Sequence, residues 1–277
     1  GMAFLSAAMN SAARHITDTI HPFEIVFFRN LFGSLFILPI VSRYGFSILK
    51  TQRFTTHLGR AGLNIINHLF FFTALSLTTL SELVALGFTA PIFTTMLAVI
   101  LFGEIVGWRR WGAIIFAFFG TLIILKPGID NITLGHGMTL MAALTWAGVL
   151  LFIKSLSDTE ESITMGAYAT FLMTPLSLIP ALFVWQWPTS NELMWLAFIG
   201  LTAGCAQFFI AQALHETDLN VIMPFDFTKL IWVSVIAFLL FGEIPELTTW
   251  IGGAIIFSAG IYVAHREAAK IPKTDSW

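Results

Sequence analysis

An acid and a base, Asp226 and Lys229, stand three apart inside the run NVIMPFDFTKLIWVSVIAFLLFGE from Asn220 to Glu243. As a helix that run is long enough to cross a hydrocarbon core of about 30 Å, and Lys229 would lie about 15 Å along it, near the midplane. An ionised group at that depth costs roughly 2.5 to 3.5 kcal/mol on insertion scales. Two uses remain open: mutual neutralisation on one helical face, or binding of complementary charges on a small solute. A zwitterion satisfies both charges better than a simple anion does.

Other polar side chains sit in apolar surroundings. Arg29, in FFRN, either snorkels to the nearer interface or turns inward, where its planar donor fork suits a carboxylate or phosphate. Glu24 and Glu82 are candidate partners for it. Asn64, Asn67 and His68 share one helical face, which should meet a cavity or another helix rather than lipid. For the asparagines, interhelical hydrogen bonding competes with ligand contact; His68 titrates near working pH. Trp146 falls in mid-span and offers a wall for an organic substrate. The candidate binding set is therefore Arg29, Asn67, His68, Trp146, Asp226 and Lys229, with Glu82, Asp226 and His68 as groups that could couple a proton. Gln207 and Gln212 are five apart and share no face. Pro91 and Pro224 should bend their helices, and a bend at Pro224 would aim the Asp226 carboxylate.

Some chemistries are excluded. The sequence holds no HExxH, CxxC pair, nucleotide-binding glycine loop or nucleophile elbow, and its histidines make no metal-ligand spacing, so no metal, cofactor or catalytic residue is assigned. His15, His21, His57 and His136 are placed at loop edges. The single cysteine, Cys205, allows no internal disulfide. A net charge of -2 gives no field for nucleic acid.

With 57% hydrophobic and 11% charged residues, the 277-residue chain reads as an all-α integral membrane protein. Ten spans fall near Met2 to Thr17, Phe23 to Ser42, His57 to Leu77, Ser81 to Phe102, Arg109 to Lys126, His136 to Ser155, Ile163 to Leu182, Glu192 to Ala213, Leu219 to Phe241 and Thr248 to His265. The first begins almost at once, compatible with residues preceding Gly1. Ten basic residues fall on the side of both termini and two, Arg14 and Lys126, on the other, so both termini should be cytoplasmic. Trp185, Trp187, Trp250, Trp108 and Trp111 then lie at the interfaces as lipid anchors. Gly200 and Gly204 form a close-packing GxxxG face.

The chain repeats. LFGEI at Leu101 to Ile105 recurs at Leu240 to Ile244, and Trp111 pairs with Trp250 at the same spacing. Residues 1–130 and 131–277 each hold five spans; because five is odd, the second copy should be inverted, the design of many secondary carriers. Glu104 and Glu243 match and are expected to mark helix ends at water. Asp226 and Lys229 face Gly87 and Ala90 in the other copy, and a polar group in one copy only is the better ligand candidate.

The duplicated LFGEI box, the WGAIIFAFFG and WIGGAIIFSAG stretches after it and the HPFEIVFFRNLF run resemble the drug/metabolite transporter superfamily, in its ten-helix carriers of two EamA-type halves. HPFEIVFFR, WRRW and PFDFTKL are similar to the bacterial S-adenosylmethionine uptake carriers within it. The resemblance implies alternating access around a shared cavity, transport without ATP, and an arginine at the position of Arg29. The resulting expectation is a carrier of a small polar or zwitterionic metabolite (amino acid, nucleoside-like or sulfonium compound) in the bacterial inner membrane, with room for a homodimer. An intramembrane enzyme and a membrane receptor or scaffold are the alternatives.

Overall fold

The computed structural model of the chain describes residues 2–45, 50–103, 107–126, 132–157, 159–216 and 219–268; side chains 207–216 and 219–228 lie outside the described set. Eleven helices follow one another: α1 (Met2–Ile16), α2 (Pro22–Tyr44), α3 (Phe54–Leu77), α4 (Leu80–Gly87), α5 (Ala90–Phe102), α6 (Trp108–Leu125), α7 (Leu134–Ser157), α8 (Ser162–Leu182), α9 (Ser190–Glu216), α10 (Leu219–Phe241) and α11 (Leu247–Ala268). Among the described residues four stretches, Pro22–Arg43, Leu80–Leu101, Leu134–Ser157 and Thr164–Leu182, are long and apolar enough to cross a membrane. The second of these is α4 and α5 taken together, so eleven helices make ten spans. Exposed side chains are apolar where lipid would lie, among them Ile100, Leu101, Phe118, Leu239 and Leu240. Buried hydroxyls bond back to carbonyls one turn earlier, as Thr121 does to Ala117 and Ser234 to Leu230, which spares them an unpaired state in hydrocarbon.

The break between α4 and α5 sits at Phe88–Thr89, just ahead of Pro91, whose missing N–H and ring prevent a regular turn. Thr89 then donates its hydroxyl to the Leu86 carbonyl at 2.7 Å, and Thr95 donates to the Pro91 carbonyl. The expected bend at Pro91 is thus a full interruption with its carbonyls satisfied by threonines. Through Pro224, by contrast, α10 continues as one helix.

The duplicated box has a backbone explanation. Gly103 and Gly242 both end their helices at positive φ, 64° and 67°, and both donate to the carbonyl four residues earlier at 3.0 Å. A side chain is disfavoured there, so glycine recurs at both ends.

The second set of five spans runs in the opposite sense to the first. α1 and α3 end together, since the Arg14 guanidinium donates to the Leu75 carbonyl. α3 and α7 lie antiparallel: Asn67 reaches Ala142, Gly148 abuts Leu63 and Gly135 abuts Leu77. So α7, the first span of the second set, points opposite to α1. The main packing partners are interleaved rather than segregated, with α3 on α7, α1 on α9, α2 on α8 and α9, and α6 on α11.

Small residues make these crossings possible. A Cβ on Gly204 would stand 2.8 Å from a Phe36 ring carbon, and one on Gly200 would meet Phe32 and lie 3.1 Å from the Arg29 carbonyl. The GxxxG face is therefore the seat of α2 on α9. Not all aromatic expectations hold. Trp108 and Trp187 are exposed as interface anchors should be, but Trp185 packs 5.6 Å from the rings of both Phe27 and Phe28, and Trp250 packs against the core. Those two have apolar neighbours within the protein to cover their rings. Replacement Gly200→Ala should cost about 1 to 3 kcal/mol by overpacking and lower the thermal midpoint in detergent, whereas Gly137→Ala, where a Cβ meets open space, should not. Circular-dichroism melts of the two variants make the comparison.

Candidate functional site

Arg29 settles inward. It lies seven residues from the start of α2, about 10 Å along the axis, half-buried, with its guanidinium on Asn30 Oδ1 at 3.2 Å and its Nε without a hydrogen-bond partner among the described residues. Asn30 is itself fixed by Ser177 of α8 at 3.3 Å, and Ser34, one turn on, bonds Thr174 at 2.7 Å. Those bonds clamp α2 on α8 and hold the arginine in register. His68 of α3 is within electrostatic reach of the guanidinium, its ring edge-on to Phe72 and its Nδ1 buried and unpartnered among the described residues. Two of the sequence candidates are thus within electrostatic reach of each other.

The asparagines follow the interhelical alternative. Asn67 donates to the Ala142 carbonyl of α7 at 2.6 Å, and Asn64 donates to Met173 Sδ of α8 at 3.3 Å. Trp146 is half-buried on α7, one turn beyond Ala142. Lys229 is half-buried on α10; the Asp226 side chain lies outside the described residues, as do those of Gln207 and Gln212, and Glu104 is not described. Depth separates the charges. Glu243 and Arg14 mark one end of the bundle; Lys229 is 14 residues before Glu243, about 21 Å, whereas His68 is seven residues before Leu75, about 10 Å. The lysine therefore lies about 10 Å deeper than the Arg29–His68 pair.

The acids proposed as partners of Arg29 are engaged elsewhere. Glu24, buried to 1% exposure, accepts the backbone N–H of Gln186 at 2.7 Å and so ties the loop after α8 to the start of α2. Glu82 accepts from Thr78 and stands 3.6 Å from His136. Both lie at helix starts, where free N–H groups and nearby polar side chains attract a carboxylate. Glu243 does more than mark a helix end at water: one oxygen accepts the Leu80 N–H at 3.2 Å, capping α4, and the other faces Arg14 at 3.9 Å. With Lys126 on Glu246, this end is tied together across the two sets of spans.

The opposite end is laced as well. Arg53 donates to the carbonyl and hydroxyl of Ser155 and to Thr159, and Thr51 donates to Glu160. His57, expected at a loop edge, is buried to 2% exposure, stacked on Tyr168 at 4.6 Å and 3.9 Å from Glu160. Arg60, counted with the basic loop residues, is buried to 9% and donates to the Met165 carbonyl of α8. Both are drawn inside because α8 offers an aromatic face and an open carbonyl beside them.

Sequence reasoning missed Asn10 altogether. It is buried to 1% exposure on α1, one turn before Arg14, and neither carboxamide atom has a partner among the described residues. Its setting among small residues, SAAMNSAAR, is the available signal, since an asparagine on a close-packing helix face needs a reason to be there.

Comparison with known proteins places this architecture. The sequence profile of the EamA-like transporter family matches residues 1–126 and again 133–264. An S-adenosylmethionine uptake transporter of Rickettsia bellii is 28% identical over 97% of this chain and 92% of its own length. A riboflavin transporter of Vibrio cholerae is 32% identical over 98% and 92% respectively. A protein crystal structure at 16% identity superposes over 99% of this chain and 98% of that one with a TM-score of 0.66, which supports the fold. Matched twice along its length and aligned end to end with membrane carriers, the chain belongs to the EamA-like transporter family.

Proposed function

We propose that the protein is a secondary carrier of a small polar or zwitterionic organic metabolite in the bacterial inner membrane, working by alternating access. The guanidinium of Arg29 carries the reading: it is held within electrostatic reach of His68 with a donor that has no partner among the described residues. A carboxylate answers such a group with two parallel hydrogen bonds. Residues 1–130 and 131–277 act as the two rocking units, and the laced ends around Arg14 and Arg53 open in turn. The ten-to-two bias of basic residues puts the Arg53 end and both termini in the cytoplasm.

The named relatives differ in what they ask of a site. S-adenosylmethionine carries a carboxylate, an ammonium and a sulfonium, while riboflavin carries no charge. Arg29 favours the first through its carboxylate, with Asp226 deeper in the path for one of its cationic groups and Lys229 to receive the carboxylate as it moves inward. The 32% identity with the riboflavin transporter is the observation that favours the flavin as a second reading.

Uptake of radiolabelled S-adenosylmethionine and riboflavin into proteoliposomes separates these readings. Saturable uptake of the charged compound is expected, with Arg29→Gln reducing it by about tenfold or more and Arg29→Lys retaining part of it. Uptake of riboflavin alone, unchanged in Arg29→Gln, would establish the second reading. Ligand-induced thermal stabilisation should likewise vanish in Asp226→Asn and Lys229→Met; equal stabilisation in all three proteins would remove that pair from the path. Glu243→Gln, which weakens the grip on Arg14 and on the start of α4, should let a membrane-impermeant maleimide reach a cysteine placed at Ser81 several-fold faster in a Cys205→Ser background. An unchanged labelling rate would show that Glu243 does not hold that end closed.

A further inference from the structure

Along one face of α3 lie His57, Arg60, Asn64 and His68, spaced three to four residues apart. Each has a buried polar atom with no hydrogen-bond partner among the described residues: both ring nitrogens of His57, Nε of Arg60, Oδ1 of Asn64 and Nδ1 of His68. Arg29 on α2, within electrostatic reach of His68, also has an unpartnered Nε among the described residues. An unpaired buried polar atom costs roughly 1 to 3 kcal/mol, and native proteins leave few of them. Four residues in one file, each with such an atom, describe a path rather than an accident. The file turns toward α8, where Tyr168, Met165 and Met173 form its far wall.

We infer that this face of α3 is a hydrated file through which protons pass between the Arg53 end and His68. Water supplies each orphaned atom with a partner, as it does for buried polar groups generally. The file covers 11 residues, about 16 Å of helix, and runs from the bundle end to the substrate site proposed above. Its two imidazoles can take a proton on one nitrogen and release one from the other, so a proton is passed along with none gained or lost. Asn64 cannot ionise; its Oδ1 anchors the water between them. The charged and titratable groups around the file are Glu160, Arg53, Arg60 and Tyr168 at the His57 end and Arg29 at the other. Glu160 stands 3.9 Å from His57 at the mouth, and an anion bound at Arg29 brings its negative charge within electrostatic reach of His68. Binding of an anionic group and protonation of His68 are then linked, which is what proton-coupled uptake requires. Only this last use rests on the carrier reading; the file itself does not.

Deuterium exchange at the imidazole Cε1 position, read by mass spectrometry on the full-length protein in nanodiscs, tests the file without any substrate. In D2O, His68 should exchange within about threefold of His57 although it lies deep in the bundle. Asn64→Leu, which fills the file with an apolar group of similar size, should slow His68 by about tenfold or more and leave His57 unchanged. Misfolding would speed every histidine, so selective slowing cannot come from a damaged fold. A sealed His68 in the wild type, or one indifferent to Asn64→Leu, would overturn the proposal. Failure of the uptake assay with both compounds would leave this result untouched.

Discussion

Hydrocarbon offers no hydrogen bonds, so every polar group in this bundle must find its partner within the protein or in enclosed water. That constraint shapes the molecule at each level. It makes the spans helical, sends serine and threonine hydroxyls back to their own helices, and brings threonines to the carbonyls freed ahead of Pro91. It also makes exceptions conspicuous. In a soluble protein an unpaired asparagine or histidine could borrow water at the surface; here the atoms of Asn10, Arg29, Asn64 and His68 that lack partners among the described residues are internal.

The polar ties at both ends follow from the same constraint applied to charge. Arg14 and Glu243 at one end, and Arg53, His57 and Glu160 at the other, join elements from different sets of five spans. Ion pairs between sets are costly to bury but break without loss when water enters. Apolar contacts of the same area would resist opening far more. The interleaving of α3 with α7 and of α1 with α9 means that neither set can move without disturbing these contacts.

Much of this was legible in the sequence. The lengths of the apolar runs identify ten spans, the LFGEI box exposes the duplication, and an odd count per copy forces inversion. GxxxG pointed correctly to a close contact. The division between interior and interface was less legible, because Arg29, Arg60 and His57 look alike in one dimension and differ only in what α8 and α3 place beside them. Trp185 resembled a lipid anchor until Phe27 and Phe28 were found under it. Glu24 and Glu82 could be assigned to Arg29 only by depth, and depth alone cannot see the N–H of Gln186 or the imidazole of His136. Asn10 gave no pattern at all, since one amide in an alanine-rich helix has no periodicity to read.

The interruption at Phe88–Thr89 belongs to one copy, and its counterpart α10 runs unbroken through Pro224. Were the copies alike, the empty protein would idle equally between its two faces. Under the alternating access proposed above, a joint in one and a rod in the other would remove that degeneracy and give the unloaded molecule a built-in preference for one side, whose free energy would be subtracted from the apparent affinity on the opposite side.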